Sequence, residues 1–322
     1  MKSLHGRAAL TAIASLVVII LASVAWLTHS KSDVPRRIVV ILPSSSNPFW
    51  VDVKRGAERA AASIQPRYTV QIVASQDQDA NSQVELLNGF LTRRSADALV
   101  LGPASDVETV PAVARYNQAS IPVVVIDTEL KKEEADKHGA HVDAFIGSDN
   151  IDGGRKAAKA MAEALRSASS RRVLLIEGNR VHQSAIDRAD GFLEVGKAEK
   201  LDIVPLQGLW KRDRAQDLVL SQLSRGRIDG IFASNDDMAM GAIAALKARA
   251  IDRSQWPVVI GFDATNDGLA AVTKCEMYTT VAQDARRLGE SGVLSAKHLI
   301  ERQPVVAHEV VSVTLIPPTC PR

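Results

Sequence analysis

The side chains able to recognise a small polar molecule recur at equivalent places in this sequence, each directly after a short run of branched aliphatic residues. Ser44-Ser45-Ser46-Asn47-Pro48-Phe49-Trp50 follows one such run, Gly102-Pro103 another, Asp127-Thr128 a third and Ser148-Asp149-Asn150 a fourth. Further along, Glu177 to Arg188, Gln207 to Trp210, Asn235-Asp236-Asp237, Asp263 and Gln283 stand in the same relation to the runs before them. Carboxylates and amides pair with hydroxyl groups, and an indole face covers the C–H face of a sugar ring. The set therefore suits a polyhydroxylated ligand. Taken singly, the residues have plainer explanations: Asn47, Ser148 and Asp263 stand where helix caps are common. Asp236 and Asp237 open a helical stretch, where carboxylates complement the macrodipole, and are not counted with the binding set.

Catalytic chemistry finds no comparable pattern. The sequence has no Gly-x-Ser-x-Gly, no His-Glu-x-x-His and no Walker-type phosphate loop. Gly153-Gly154 is not a dinucleotide fingerprint. His138 and His141, beside Asp136 and Asp143, are the one pair of neighbouring histidines, and a solvated loop explains them better than a metal does. The expectation is a binding protein without catalytic residues, metal or cofactor.

The elements that must position these residues alternate between strand and helix. Ile38–Leu42, Thr69–Val73, Ala98–Leu101, Val123–Ile126 and Ala144–Ile146 form one series of strand-like runs. Val173–Ile176, Ile203–Pro205, Gly230–Ala233, Val258–Ile260 and Thr279–Val281 form a second. Amphipathic stretches separate them, among them Val51–Ile64, Ser82–Arg93, Gly153–Ser167, Arg214–Ser224 and Met238–Ala248. Strands with little alternation, separated by helices, predict parallel sheets covered on both faces. The two series predict two similar doubly wound α/β lobes, with ligands beyond the carboxyl ends of their strands. The polar segment Glu129–His141 reads as a loop.

Composition narrows the class of partner. Apolar residues make 46% and charged residues 24% of the 322, which is ordinary globular usage and excludes a disordered or polytopic membrane chain. Lys+Arg number 39 against 37 Asp+Glu, without a long basic run, so no nucleic-acid partner is expected. Near the N-terminus, Lys2 and Arg7 precede the uncharged stretch Ala8–Thr28. Residues 1–30 read as a signal peptide, with Ser23-Val24-Ala25 as a cleavage site, or as a retained membrane anchor. Either reading puts the remainder outside the cytoplasmic membrane. In that compartment the two cysteines, Cys275 and Cys320, favour pairing. The bridge would close a loop of about 46 residues, which the chain-entropy account values at roughly 3–4 kcal/mol.

Asn47-Pro48-Phe49-Trp50, Gly147-Ser148-Asp149-Asn150, Ala185 to Phe192, Ala233 to Ala242 and Val259-Ile260-Gly261-Phe262-Asp263 resemble the periplasmic sugar-binding proteins of type I, most nearly the ribose-binding type of ABC transporters. The resemblance runs from about Arg37 to Val313, in order and at comparable spacing. It implies lobes of residues 36–148 plus 284–311 and of 149–283 plus 312–322. Three crossings would join them, near Ser148/Asp149, Gln283/Asp284 and Val311/Ser312, and they would close on ligand by hinge motion. It also implies site roles. Asn47, Phe49 and Trp50 would line the wall of the first lobe, with Phe49 or Trp50 stacking on the ligand. Asp127 would accept bonds from ring hydroxyls, with Ser148 nearby. Arg188 would donate from the second lobe, Trp210 would stack from the opposite side, and Asn235, Asp263 and Gln283 would complete the hydrogen bonds. Arg188 could instead pair with Asp187 or Asp190, and Trp210 could be a core plug.

The sequence departs from the ribose-binding pattern at Thr128, Gly102 and Pro43, which replace an Arg, an Asn and a Ser. Asn179, Arg180 and His182 offer other polar groups. A furanose or pyranose fits the resemblance, and a polyol, cyclitol or sugar acid fits as well. The implied partner is an ABC permease that receives the sugar, or alternatively a chemoreceptor or sensor kinase that reads the closed form. A transcription regulator of the same fold would need a DNA-reading helix where the N-terminal apolar segment stands.

Overall fold

The computed structural model describes residues 35–76, 79–168 and 170–320. The apolar stretch Ala8–Thr28 and the rest of the N-terminal segment lie outside the described residues. Among those described, no helix is long and apolar enough to cross a membrane.

The chain builds two six-stranded sheets. The first begins with β1 (Arg36–Leu42), β2 (Tyr68–Ala74), β3 (Ala98–Leu101), β4 (Val123–Ile126) and β5 (Ala144–Ser148). They are connected by α1 (Pro48–Ile64), α2 (Ala80–Thr92), α3 (Val110–Gln118) and α4 (Lys132–His138). The second sheet holds β6 (Arg172–Glu177), β7 (Asp202–Gln207), β8 (Gly230–Ala233), β9 (Val258–Asp263) and β10 (Thr279–Ala282). Its helices are α5 (Asn150–Ala164), α6 (Gln183–Ala198), α7 (Arg212–Leu223), α8 (Asp236–Ala248) and α9 (Asn266–Thr273). The chain then returns with α10 (Ala285–Ile300), β11 (His308–Val311) and β12 (Thr314–Leu315). Strand order is β11-β5-β4-β3-β1-β2 in one sheet and β12-β10-β9-β8-β6-β7 in the other. Every pairing is parallel except β10 with β12.

The lack of alternation in the strands has a direct cause. In β1, Ile38, Val40 and Leu42 enter the core beneath α1 and α10, while Val39 and Ile41 enter the core beneath α2 and α3. Both faces of a parallel strand are buried, so both must be apolar. The second lobe repeats this: Leu174 and Ile176 pack on one side of β6, Val173 and Leu175 on the other.

The chain passes between the sheets three times: from β5 into α5, from β10 into α10, and from β11 into β12. The first and third crossings are neighbours, since the Asp149 amide donates to the Val311 carbonyl at 3.0 Å. β12 pairs only two residues, Val281 with Leu315 and Ala282 with Thr314. A disulfide between Cys275 and Cys320 fastens the tail beyond it.

The segment Glu129–His141 is not simply a loop, because it contains α4. No residue of α4 is buried, so the helix has no apolar stripe to betray it. It is held instead by Glu133 and Glu134 in its first turn, Lys137 and His138 in its last, and a left-handed Gly139 at φ 63° that ends it. His138 lies 3.6 Å from Glu134, and His141 lies 3.9 Å from Asp143.

Candidate functional site

The carboxyl ends of the two sheets face each other, and the loops there line a cavity between them. Pro43, Asn47, Phe49, Trp50, Pro103, Asp127 and Thr128 line it from the first lobe. His182, Ser184, Arg188, Trp210, Asn235 and Asp263 line it from the second.

On the first lobe the turn after β1 is fixed by local bonds. The Ser44 hydroxyl accepts from the amides of Ser46 and Asn47 at 3.2 and 3.1 Å. Asn47 caps α1, its Oδ1 accepting from the Phe49 amide at 3.0 Å. Its cap role and its place in the wall thus coexist, because capping engages Oδ1 and not the amide nitrogen. Phe49 and Trp50 meet edge to face, ring centroids 5.1 Å apart. Trp50 lies over Gly102, where an added Cβ would come within 2.7 Å of the indole. An Asn at 102 and this Trp50 conformation therefore exclude each other.

Asp127 directly follows β4 and lies in the left-handed region, φ 70°. Its backbone amide donates to the Ile146 carbonyl at 2.9 Å, and its Oδ2 accepts from the Thr128 hydroxyl at 3.0 Å. Oδ1 is buried and has no hydrogen-bond partner among the described residues. Burial pushes the Asp127 carboxyl above its ordinary range, opposed by Arg188, the Thr128 bond and His182.

On the second lobe Arg188 is carried by α6, which packs closely on α5. A Cβ at Gly154 would lie 2.2 Å from the Arg188 carbonyl, and one at Gly191 would lie 2.1 Å from the Ile151 carbonyl. Two glycines thus allow the backbone approach that brings Arg188 beneath the cavity. Its Nε donates to Asn150 Oδ1 at 2.8 Å and its Nη1 to the Ser234 carbonyl at 2.7 Å. The guanidinium lies 3.9 Å from the Phe262 ring centroid and 5.5 Å from that of Trp210. The acidic partner is Asp263, at 3.4 Å, and not Asp187 or Asp190.

Asp263 Oδ1 also accepts from Gln283 Nε2 at 2.6 Å. Burial pushes the Asp263 carboxyl up to about 8, against the pull of Arg188. The buried carboxyls of Asp236 and Asp127 add to the rise, since the three acids share one guanidinium. Asp236, set aside as a helix cap, is wholly buried and accepts from the Thr265 amide and hydroxyl and the Thr280 hydroxyl at 2.7, 3.0 and 2.7 Å. The cap of α8 is Asn235, whose Oδ1 accepts from the Met238 amide at 2.9 Å.

Of the ten residues singled out from sequence, Asn47, Phe49, Trp50, Asp127, Arg188, Trp210, Asn235 and Asp263 line the cavity. Ser148 and Gln283 do not line it. Ser148 ends β5 at the first crossing, and Gln283 stands behind Asp263 at the second. Trp210 is only partly buried and forms part of the cavity wall, although its ring also packs on the core of the second lobe. The lining adds Thr128 and Pro103, named from sequence as residues after strand ends, Pro43 and His182, named as departures or extras, and Ser184, which the sequence placed only within the span Glu177 to Arg188. Ser184 carried a signal in hindsight: it sits in the first turn of α6, on the side of Arg188 four residues later.

The model of the periplasmic binding protein domain matches residues 38–304. The chain belongs to the periplasmic binding proteins. Within that family it is 30% identical to the ribose import binding protein of Haemophilus influenzae, over 95% of this chain and 98% of the relative. It is 32% identical to the D-allose-binding periplasmic protein of Escherichia coli, over 79% and 81%. A solute binding protein of an ABC transporter from Agrobacterium vitis, solved with D-fucose bound, superposes with a TM-score of 0.79 at 29% identity, covering 87% of this chain and 95% of that one. The family's two-lobed architecture is the one described above.

Proposed function

We propose that this chain is an extracytoplasmic receptor. It binds a neutral monosaccharide, or a related polyol or cyclitol, between its lobes and delivers it to an ABC importer. The observation that carries the reading is the cavity itself. It sets a buried, unpartnered carboxylate oxygen of Asp127 and the Arg188 guanidinium among the aromatic rings of Phe49, Trp50 and Trp210. A sugar hydroxyl can donate to Asp127 and accept from Arg188, while ring C–H faces rest on the aromatic walls. An Asp127 carboxylate can accept from a hydroxyl but has no proton to offer an anionic group, so a sugar acid is the poorer fit. The kinship with ribose and allose binders supports the substrate class. Thr128, Gly102 and Pro43 give the first-lobe wall fewer donors than a ribose site, which favours a ligand with an apolar edge there.

A thermal-shift screen against D-ribose, D-allose, D-apiose, D-fucose and myo-inositol tests the proposal. A ligand that binds only the folded chain stabilises it by RT ln(1+[L]/Kd), about 2.7 kcal/mol at a hundredfold excess over Kd. At least one of these compounds should raise Tm in a saturable way. No shift with any of them at millimolar concentration would refute the substrate class.

A further inference from the structure

We propose that His182 is a positioning residue that latches the two lobes in the closed form and fixes Trp210 against the ligand. The proposal rests on the sugar-receptor reading, since it assigns the control of closure at that same cavity.

His182 immediately precedes α6 and is buried. The Trp210 indole Nε1–H donates to its Nδ1 at 2.9 Å. An indole N–H can only donate, so Nδ1 accepts and the imidazole proton sits on Nε2. Nε2 then donates to the Ala104 carbonyl at 2.9 Å, and Ala104 belongs to the other lobe. One ring therefore joins the aromatic wall of the second lobe to the backbone of the first. The two rings are nearly parallel, at 22°, with centroids 6.3 Å apart.

Both ends of the relay are braced. Gln83 is completely buried, donates to the Gly102 carbonyl at 2.9 Å and accepts from the Ala104 amide at 2.7 Å. The loop that presents the Ala104 carbonyl is thus tied to α2. At the other end Trp210 lies over Gly178, where a Cβ would stand 2.2 Å from the indole. A second bond crosses the cleft close by, between the hydroxyls of Thr128 and Ser184 at 3.2 Å. When the lobes separate, the bond to Ala104 must break, while the bond to Trp210 lies within one lobe. His182 thus acts on the rate of opening and, through the indole, on the shape of the site.

The test compares the parent with His182→Ala and His182→Gln, all shown to be folded by circular dichroism. Gln keeps an oxygen acceptor and an N–H donor on one side chain. Association and dissociation of D-allose are followed by stopped-flow tryptophan fluorescence, and the interlobe distance without sugar by one spin label on each lobe. His182→Ala should raise the dissociation rate about tenfold, the effect of one or two neutral hydrogen bonds, with the association rate within about twofold. His182→Gln should recover part of that loss. His182→Ala should also lengthen the sugar-free interlobe distance relative to the parent. A dissociation rate within twofold of the parent overturns the latch. If the parent does not bind D-allose, the allose arm falls with the substrate, and the sugar-free distances decide: unchanged distributions overturn the latch, and a shift to longer distances in His182→Ala supports it.

Discussion

Asp127 and Trp210 occupy opposite walls of the cavity and do opposite kinds of work. Asp127 presents one carboxyl oxygen with no protein partner, so a ligand hydroxyl gains a charge-assisted bond there, worth about 1.5–3 kcal/mol. Asp127→Ala should weaken sugar binding roughly 10- to 100-fold by calorimetric titration, and Trp210→Ala at least as much, through lost stacking and an opened wall. Thr128→Ala should cost less, because it removes one neutral hydroxyl. Parent-like affinity in both of the first two variants would sink this site. Asp263 makes a separate prediction. Its folded pKa, raised to about 8, lies above the unfolded value near 3.8. The folded state then holds the extra proton between those values, so this group favours folding at the acid end of that window and stability falls as pH rises from about 4 to about 8. Asp236, raised to about 6, adds to the slope in the same direction over the lower part. Urea titrations across that range should give a shallower decline for Asp263→Asn than for the parent. An identical slope would mean that Asp263 ionises normally.

Among the elements, the strands were the most legible, because both faces are buried along β3, β4 and the centres of β1 and β9, and those stretches are apolar. The positions of candidate site residues were legible for the same reason: a strand of known end fixes where its loop begins, so Asp127 after β4 and Asp263 at the end of β9 could be placed from sequence. Three things were hidden. The helix α4 buries nothing and leaves no periodic trace. β12 makes only two pairs. Gln283 follows its strand as regularly as the others, yet its side chain turns to Asp263, a choice made by tertiary packing. The disulfide belongs at this scale. It fastens the segment after β12 to the turn before β10, at a sequence separation of 45. The Thr319 hydroxyl donating to the Val272 carbonyl at 2.7 Å and the Ile316 amide donating to the Thr280 carbonyl at 3.0 Å hold the same tail. Replacing both cysteines by Ser should cost roughly 3–4 kcal/mol by the chain-entropy account, read as a lower urea midpoint. A non-reducing peptide map that recovers both thiols free would remove the basis of that prediction.

For the whole molecule, the cavity wall is shared between lobes that meet through three crossings and a few bonds over the cleft. A ligand that contacts both lobes gains its full set of interactions only when they are together, so it shifts the population toward closure. Small-angle scattering should show a smaller radius of gyration with saturating sugar than without. Superimposable profiles would count against a clamp. The first sheet is begun by β1 near residue 36, but its edge strand β11 and its cover α10 come from residues 285–311. Until that last stretch emerges, Val53, Ala57, Val100 and Ile126 have no helix α10 to pack against. A chain delivered from its N-terminus through a narrow pore would therefore hold an unfinished first lobe for most of its passage.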